Sequence, residues 1–179
     1  SNDSKVLKIA SKYKINNIYK RPRSTSTSKC STVKTLIHFV KWLKFYDKKI
    51  TDLVILQPTS PLRKKSDIIN SIKIYKKKNF LSLFSVSQSI EHPYESINVK
   101  NLNKNLWNFV LPKSKKFFRR QDFDINSYFI NGAIYIIKIN KLIKLKSMVT
   151  HKHGIYVMKK INSFDINDKE DFEIAKNIL

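Results

Sequence analysis

The residue types best suited to chemistry in this sequence lie in the segment Gln57-Pro58-Thr59-Ser60-Pro61-Leu62-Arg63, directly after the apolar run Leu53-Val54-Ile55-Leu56. Gln57, Thr59, Ser60 and Arg63 supply hydrogen-bond donors and acceptors that suit a polar, anionic small molecule. Two prolines restrict the backbone that presents them. Because ligands of open α/β sheets bind at the carboxyl ends of the strands, this placement predicts a binding loop. An ordinary turn after a strand is the alternative, which Pro-Thr-Ser-Pro taken alone would favour.

The composition is typical of one globular domain. Hydrophobic residues make up 41% of the 179 residues, enough for a substantial core. The apolar runs are far shorter than the roughly 18 residues of a membrane span, so we expect no membrane partner. Cys30 is the single cysteine, which excludes an internal disulfide and favours a reducing, cytoplasmic location. With only two glycines, Gly132 and Gly154, the sequence contains neither a Walker A loop nor a dinucleotide-binding fingerprint.

The formal charge of +23 raises the question of a nucleic-acid partner, because lysine and arginine neutralise phosphates. Most of the lysines are scattered over nearly every segment, as is typical of a solvated surface. The basic stretch at residues 113–120, with aromatic residues nearby, is the part that would suit a single strand. Nucleic acid is therefore not the expected partner, and a basic nucleic-acid-binding module is kept as the alternative. A basic surface would also concentrate an anionic substrate.

The elements that must position these residues predict an α/β fold. Helical spacing of apolar residues marks five segments, at 6–13, 33–43, 68–75, 140–146 and 168–179. Apolar runs mark four strands, at 53–56, 80–86, 131–137 and 154–158, with a short extended piece at 15–19. The alternation favours βαβ crossovers and a mainly parallel sheet. The pattern loosens at residues 87–127, where we expect an excursion with a strand near 94–99 and an aromatic patch at 106–109.

Four segments, spread over nearly the whole chain, carry a family resemblance. They are Arg21-Pro22 with Ser31-Thr32 ahead of a helix containing Ile37-His38; the segment from Gln57 to Arg63; Arg120-Gln121-Asp122 with Asn131-Gly132-Ala133-Ile134-Tyr135; and Phe164-Asp165-Ile166-Asn167 with Glu170-Asp171-Phe172. In this order they resemble the CMP-N-acylneuraminate synthetases, the cytidylyltransferases that activate sialic acids and related nonulosonic acids. The second and third segments are the specific ones. The resemblance implies a three-layer, mainly parallel sheet of the nucleotide-diphospho-sugar transferase type, which is Rossmann-like.

The resemblance also implies a reaction. A CMP group would pass from CTP to the anomeric hydroxyl of an acidic nine-carbon sugar, either sialic acid or a relative such as legionaminic or pseudaminic acid, and pyrophosphate would leave. Mg²⁺ would neutralise the phosphates. The family further implies one cytidylyltransferase domain over residues 1–179 and a homodimer in which the excursion at 87–127 reaches into its neighbour. The match begins at the family's second helix, so these residues would lack its first βαβ portion and its triphosphate loop, and we expect the isolated fragment to be inactive.

By position, the resemblance assigns eight residues to binding roles and none to a catalytic role. Asp165 and Asn167 match the family's metal-binding pair, which is normally two aspartates, so Asn167 supplies an oxygen without a charge. A catalytically decayed relative is therefore a further alternative. Three residues match sugar-binding positions of the family, and they are Gln57, Arg120 and Tyr135. Three more match contacts to the cytidine end, and they are Arg21, Ser31 and Thr32.

Several of these assignments have a structural alternative, and for Gln57 it is a residue that stabilises the turn. Helix capping would account for Ser31 and Thr32, and equally for Asn167, which precedes Glu170 at the spacing of a capping box. Arg120 could belong to a plain basic loop, although in the family this arginine comes from the partner subunit and pairs with the sugar carboxylate. Tyr135 could be an ordinary core residue of a buried strand.

Overall fold

The computed structural model describes residues 1–179 except 16–18, 28, 47–48, 102–103, 112–118, 120, 122 and 124. These residues contain five α-helices, which are α1 (Ser4–Lys12), α2 (Thr32–Tyr46), α3 (Lys65–Lys77), α4 (Ile139–Leu145) and α5 (Lys169–Ile178). The strands are β1 (Asp52–Leu56), β2 (Ser82–Gln88), β3 (Ile97–Asn101), β4 (Leu106–Phe109), β5 (Tyr128–Lys138) and β6 (His153–Val157). No helix in the described ranges is long and apolar enough to cross a membrane.

Four of the strands form one sheet in the order β1-β5-β2-β6, and β3 and β4 form a separate ribbon. The strand pairing is mixed, with parallel and antiparallel neighbours, and the α/β class predicted from the sequence is confirmed. The ribbon is antiparallel, and it pairs Ile97 with Phe109 and Val99 with Trp107. Residues 106–109 thus form a strand where the sequence indicated only an aromatic patch.

Contacts divide the chain into two compact units, of which the first comprises residues 1–55, 72–83 and 135–154. Its core is built around Val40 of α2 together with Ile137, Ile139 and Leu142, all at most 1% exposed. The apolar stripe of α2 that the sequence predicted, including Val33, lies against this core. The amphipathic spacing of α2 is therefore explained by burial of one helical face.

The second unit comprises residues 56–71, 84–134 and 155–179. It contains the buried positions of β2 after Leu83, where Phe84 and Val86 alternate with Ser85 and Ser87. Met158, which directly follows β6, donates its backbone N–H to the Val86 carbonyl at 2.8 Å. The serine side chains of β2 are buried among apolar ones, and buried polar groups need hydrogen-bond partners.

Two strands begin at residues other than those predicted from the sequence. β2 begins at Ser82 instead of residue 80, because α3 ends through Asn79 in the left-handed conformation (φ 50°) and the Phe80 N–H still bonds the Tyr75 carbonyl. The segment predicted as a strand at 94–99 opens with a 3₁₀ turn at Pro93–Glu95, and β3 follows. Proline at the first position of that turn favours a turn over a strand.

Candidate functional site

The loop after β1 and the segment before α5 meet through the backbone. The N–H of Ile166 donates to the carbonyl of Thr59 at 2.8 Å. Thr59 is two residues past Gln57, and Ile166 follows Asp165 directly. Two segments that the sequence marked separately are therefore held side by side in the second unit.

Arg63 fixes the shape of the loop that contains Gln57. Its Nη1 donates to the carbonyls of Gln57 at 3.0 Å and Ala133 at 2.8 Å. Burial lowers the pKa of Arg63, and the nearby carboxylate of Asp67 opposes that change. The sequence suggested this guanidinium as a ligand group for an anion. The structure instead uses it to bind backbone carbonyls, so Arg63 supports the loop from within.

Asp67 ties the start of α3 to the residues that precede Asp165. Its carboxylate is 5% exposed and accepts three hydrogen bonds. The donors are the Lys64 backbone N–H at 3.0 Å, the Tyr156 hydroxyl at 3.1 Å and the Asn162 side-chain amide at 3.1 Å. Burial and the bond from Tyr156 to Asp67 raise the pKa of that tyrosine. The position of the segment leading to Asp165 is therefore set by a buried charge.

A cavity of about 380 Å³ lies beside these segments in the second unit. It is bordered by residues 87–91 at the end of β2, by β5, and by residues from 160 to 167. Ile90, Phe129 and Phe164 provide apolar walls. Its polar lining includes Glu91, Lys160, Asp165, Asn167 and Asn131. A cavity with apolar walls and a few convergent polar groups is typical of a small-molecule site.

Asp165 and Asn167, the predicted metal pair, both line this cavity, and their metal-binding role stays a prediction. The Oδ1 of Asp165 is buried and has no hydrogen-bond partner among the described residues. The Asn167 side-chain amide donates to the Asp165 backbone carbonyl at 3.4 Å. The alternative that Asn167 caps the final helix is wrong, because Asp168 is the cap and accepts from the Asp171 N–H at 2.8 Å. The Asn167 side chain therefore lines the cavity without serving as the helix cap.

This donor set fits Mg²⁺ of the kind that arrives with a nucleotide. Within the described ranges no group of three or more His, Cys, Asp or Glu side chains could form an all-protein metal cage. Mg²⁺ is commonly held by one or two carboxylates together with substrate phosphates and water. An unpartnered, buried Asp165 oxygen and the amide oxygen of Asn167 are suitable protein ligands for such an ion.

Asn131 belongs to the motif from Asn131 to Tyr135, but the family resemblance assigned it no role. It is 4% exposed, lines the cavity, and has a buried side-chain nitrogen without a partner in the described structure. Its Oδ1 accepts from the Ser85 hydroxyl at 2.6 Å and from the Ala133 N–H at 3.2 Å. In the sequence, the signal for this residue was an amide just before a glycine in an apolar strand. The burial and the hydrogen-bond partners of Asn131 depend on residues distant in sequence, so the signal could not show them.

No family model matches the chain. Among curated proteins, the N-acylneuraminate cytidylyltransferase of Escherichia coli O18:K1:H7 is 31% identical over 88% of this chain and 36% of its own length. The protein of the same name from Streptococcus agalactiae serotype III is 30% identical over 68% of the chain and 28% of its own length. The post-translational flagellin modification protein B of Campylobacter coli is 24% identical over the whole chain and 75% of its own length.

The chain belongs to the N-acylneuraminate cytidylyltransferase family. The resemblance stated from its motifs is thereby confirmed. The chain spans about a third of the length of the two cytidylyltransferases just compared.

The other residues that the cytidylyltransferase pattern marked lie in different places. Gln57 is half-buried in the second unit but does not line the cavity, whose described lining comes from other segments. Tyr135 is half-buried on β5 in the first unit. Arg120 lies outside the described residues. The backbone bond between Thr59 and Ile166 brings their two segments together, while the convergence of Gln57 with Asp165 and the place of Arg120 stay predictions.

The three residues matched to the cytidine end of the family site lie in the first unit and make local contacts. Arg21 donates from Nε to the Thr25 carbonyl at 2.8 Å and from Nη2 to the Thr35 hydroxyl at 3.3 Å, and its Nη2 also contacts the Thr25 carbonyl. Ser31 accepts from the Lys34 N–H at 3.2 Å, as a helix cap does, and Thr32 is the exposed first residue of α2. Their contact with cytidine stays a prediction.

Proposed function

We propose that the protein transfers a CMP group from CTP to the anomeric hydroxyl of an acidic nine-carbon sugar and releases pyrophosphate. The observation that carries the proposal is the cavity in which an unpartnered, buried Asp165 oxygen lies with Asn167 among apolar and polar walls. The names of the similar proteins support it, since two are N-acylneuraminate cytidylyltransferases and one modifies flagellin. Sialic, legionaminic and pseudaminic acids are the candidate sugars.

The reaction requires positioning and control of charge. The anomeric hydroxyl oxygen attacks the α-phosphate of CTP and loses its proton to water. A P–O bond to that oxygen forms and the P–O bond to pyrophosphate breaks, while charge increases on the phosphoryl oxygens. Mg²⁺, when bound, neutralises part of that charge. In this proposal Asp165 and Asn167 hold the ion, and the apolar walls formed by Ile90 and Phe129 exclude water from the sugar.

The remaining predicted residues complete the proposed site. Gln57, held by Arg63 and adjoining the Asp165 segment, would bind sugar hydroxyls through an amide that both donates and accepts. Arg120 and Tyr135 would contact the sugar, and the cytidine end would be bound by Arg21, Ser31 and Thr32. Lys160 lies in the same cavity lining and supplies one positive charge beside the carboxylates of Glu91 and Asp165.

We propose a homodimer as the working form. The ribbon of β3 and β4 exposes large apolar side chains, among them Ile97, Leu106 at 52% and Trp107 at 51%. An isolated two-stranded ribbon is marginally stable in water, so such a surface favours burial against another chain. Light scattering of the wild-type protein and of Trp107→Asp tests this, with a dimer expected for the first and a shift toward monomer for the second. A monomeric wild-type protein would contradict it.

The enzymatic proposal is tested with the protein at its natural length, CTP, Mg²⁺ and each of the three candidate sugars, by chromatography of CMP-sugar and by pyrophosphate release. We expect one sugar to give CMP-sugar in a Mg²⁺-dependent reaction that Asp165→Ala abolishes. Asp168→Ala is the matched control, because it removes a neighbouring carboxylate that caps α5 and should leave turnover in place.

Failure of all three sugars to react would contradict the proposed function. The nucleic-acid alternative predicts a different result. It requires tight binding to arbitrary oligonucleotides that weakens steeply between low and moderate salt, without turnover of CTP.

A further inference from the structure

The side-chain amide of Asn131 is the most unusual polar group in the cavity. Its nitrogen is buried and has no acceptor among the described residues, although the residue is only 4% exposed. A buried donor without an acceptor is costly, and native proteins rarely keep one unless water or a ligand completes it. Because Asn131 also lines the cavity, a ligand in the cavity is in a position to complete this bond.

The orientation of the Asn131 amide follows from its partners. The backbone N–H of Ala133 can only donate, so the amide atom that faces it at 3.2 Å must be the oxygen. The Ser85 hydroxyl accepts from the Ile134 N–H at 2.7 Å, which leaves its own hydrogen to donate to the same amide oxygen at 2.6 Å. A flipped amide would place its NH₂ group against two donors. The oxygen is therefore committed to the strand, and the nitrogen has no acceptor among the described residues.

The backbone of β5 supports this arrangement. Gly132 has a φ of 76°, a left-handed conformation that glycine adopts without strain from a side chain. This bend lets the Asn131 oxygen reach the N–H two residues ahead. Ser85 is fully buried on β2, so its hydroxyl is held in place by packing as well as by the Ile134 N–H.

We infer that Asn131 donates a hydrogen bond from its side-chain amide to an uncharged oxygen of the sugar, and that Ser85 is the positioning residue that keeps this amide turned toward the ligand. The inference rests on the proposed function, since the ligand is the sugar of that reaction. An uncharged hydroxyl or acyl carbonyl fits better than a carboxylate, because the carboxylate of Asp165 lines the same cavity and would repel a second negative charge.

Asn131→Asp removes the donor, and it also adds a negative charge to the cavity that Asp165 lines. An aspartate keeps an oxygen for Ala133 and Ser85 but replaces the amide nitrogen with a second acceptor. We expect the KM for the sugar to rise by about 10- to 100-fold, the range that the loss of one buried hydrogen bond produces. The KM for CTP should stay within about two-fold, because the lost bond is to the sugar.

Ser85→Ala tests the positioning role. It removes the hydroxyl that orients the amide, and we expect the sugar KM to rise by about three- to ten-fold. If Ser85 acts through Asn131, the double variant should be no worse than Asn131→Asp alone. Ser82→Ala is the matched control, since Ser82 is equally buried on the same strand, bonds the Thr150 hydroxyl at 2.9 Å, and lies in the first unit. Its sugar KM should not change.

Wild-type protein provides a measurement that needs no variant of Asn131. Addition of the sugar to ¹⁵N-labelled protein should shift the side-chain amide signals of Asn131, and the same signals should broaden in Ser85→Ala. An unchanged sugar KM in Asn131→Asp, an effect of Ser85→Ala no larger than that of Ser82→Ala, or additive effects in the double variant would each overturn the inference while the enzyme remains active. Absence of CMP-sugar formation by the wild-type protein would instead overturn the proposed function and the inference with it.

Discussion

Replacing Asp67 with alanine is expected to lower the free energy of unfolding by about 3–5 kcal/mol, because three buried hydrogen bonds to one carboxylate are lost together. The magnitude comes from the three donors that the carboxylate receives from Lys64, Tyr156 and Asn162, at 3.0, 3.1 and 3.1 Å. Each bond to a charged group contributes about 1.5–3 kcal/mol, but bonds that share one acceptor do not add in full. The variant would leave three donors around an empty space.

Urea unfolding followed by circular dichroism at pH 7 measures this loss. Asp67→Asn should lose less, about 1–2 kcal/mol, because its oxygen can still accept from Lys64 and Asn162 and its NH₂ group can donate to the Tyr156 hydroxyl, so that mainly the strength added by the charge is lost. Asp168→Ala is the matched control, since it removes an exposed cap that accepts one bond from the Asp171 N–H. The loss of a helix cap costs about 1 kcal/mol. If Asp67→Ala loses no more than Asp168→Ala, the argument that a buried carboxylate anchors this unit is refuted.

Three further predictions concern the metal pair, a close contact and the pH dependence of stability. Asn167→Asp should lower the Mg²⁺ concentration for half-maximal activity several-fold and strengthen Mn²⁺ binding measured by electron paramagnetic resonance, because it adds a charge; unchanged values would count against the site. Gly154→Ala should destabilise by about 1–3 kcal/mol in urea unfolding, since its Cβ would lie 2.2 Å from the Phe80 ring; wild-type stability would contradict the packing. Burial and a 2.5 Å bond to Asp52 raise the pKa of Tyr75, so this stabilisation is present below the ordinary tyrosine pKa of about 10 and is lost as pH rises above it. Between about pH 8 and 11 the free energy of unfolding should therefore fall less in Tyr75→Phe than in the wild-type protein. Equal slopes of this free energy against pH in the two proteins would refute the prediction.

Local pattern accounts for the parts of the fold that the sequence predicted well. The spacing of Val33 and Val40 marked the buried face of α2, since a helix that packs one face must repeat apolar residues every three to four positions. The apolar run before Gln57 became β1 as expected. These features depend on residues close in sequence, which is why they could be predicted.

The contacts that build the site depend on distant residues and could not be predicted. Asp67 bonds Asn162, which is 95 positions away, and Arg63 bonds a carbonyl 70 positions away. The residue that caps α5 could not be predicted from the sequence either, although the two candidates are neighbours. Asn167 and Asp168 are both good caps by residue type, and only the backbone conformation places the Asp168 carboxylate on the helix end.

The proposed function depends on binding of the sugar in the cavity that contains Asp165 and Asn131. A crystal structure of the protein at its natural length with its CMP-sugar product would show whether the sugar lies there. We expect the sugar in this cavity, with an uncharged oxygen about 3 Å from the Asn131 amide nitrogen. A product whose sugar lies elsewhere, with only water beside Asn131 and Asp165, would rule out sugar binding at this site.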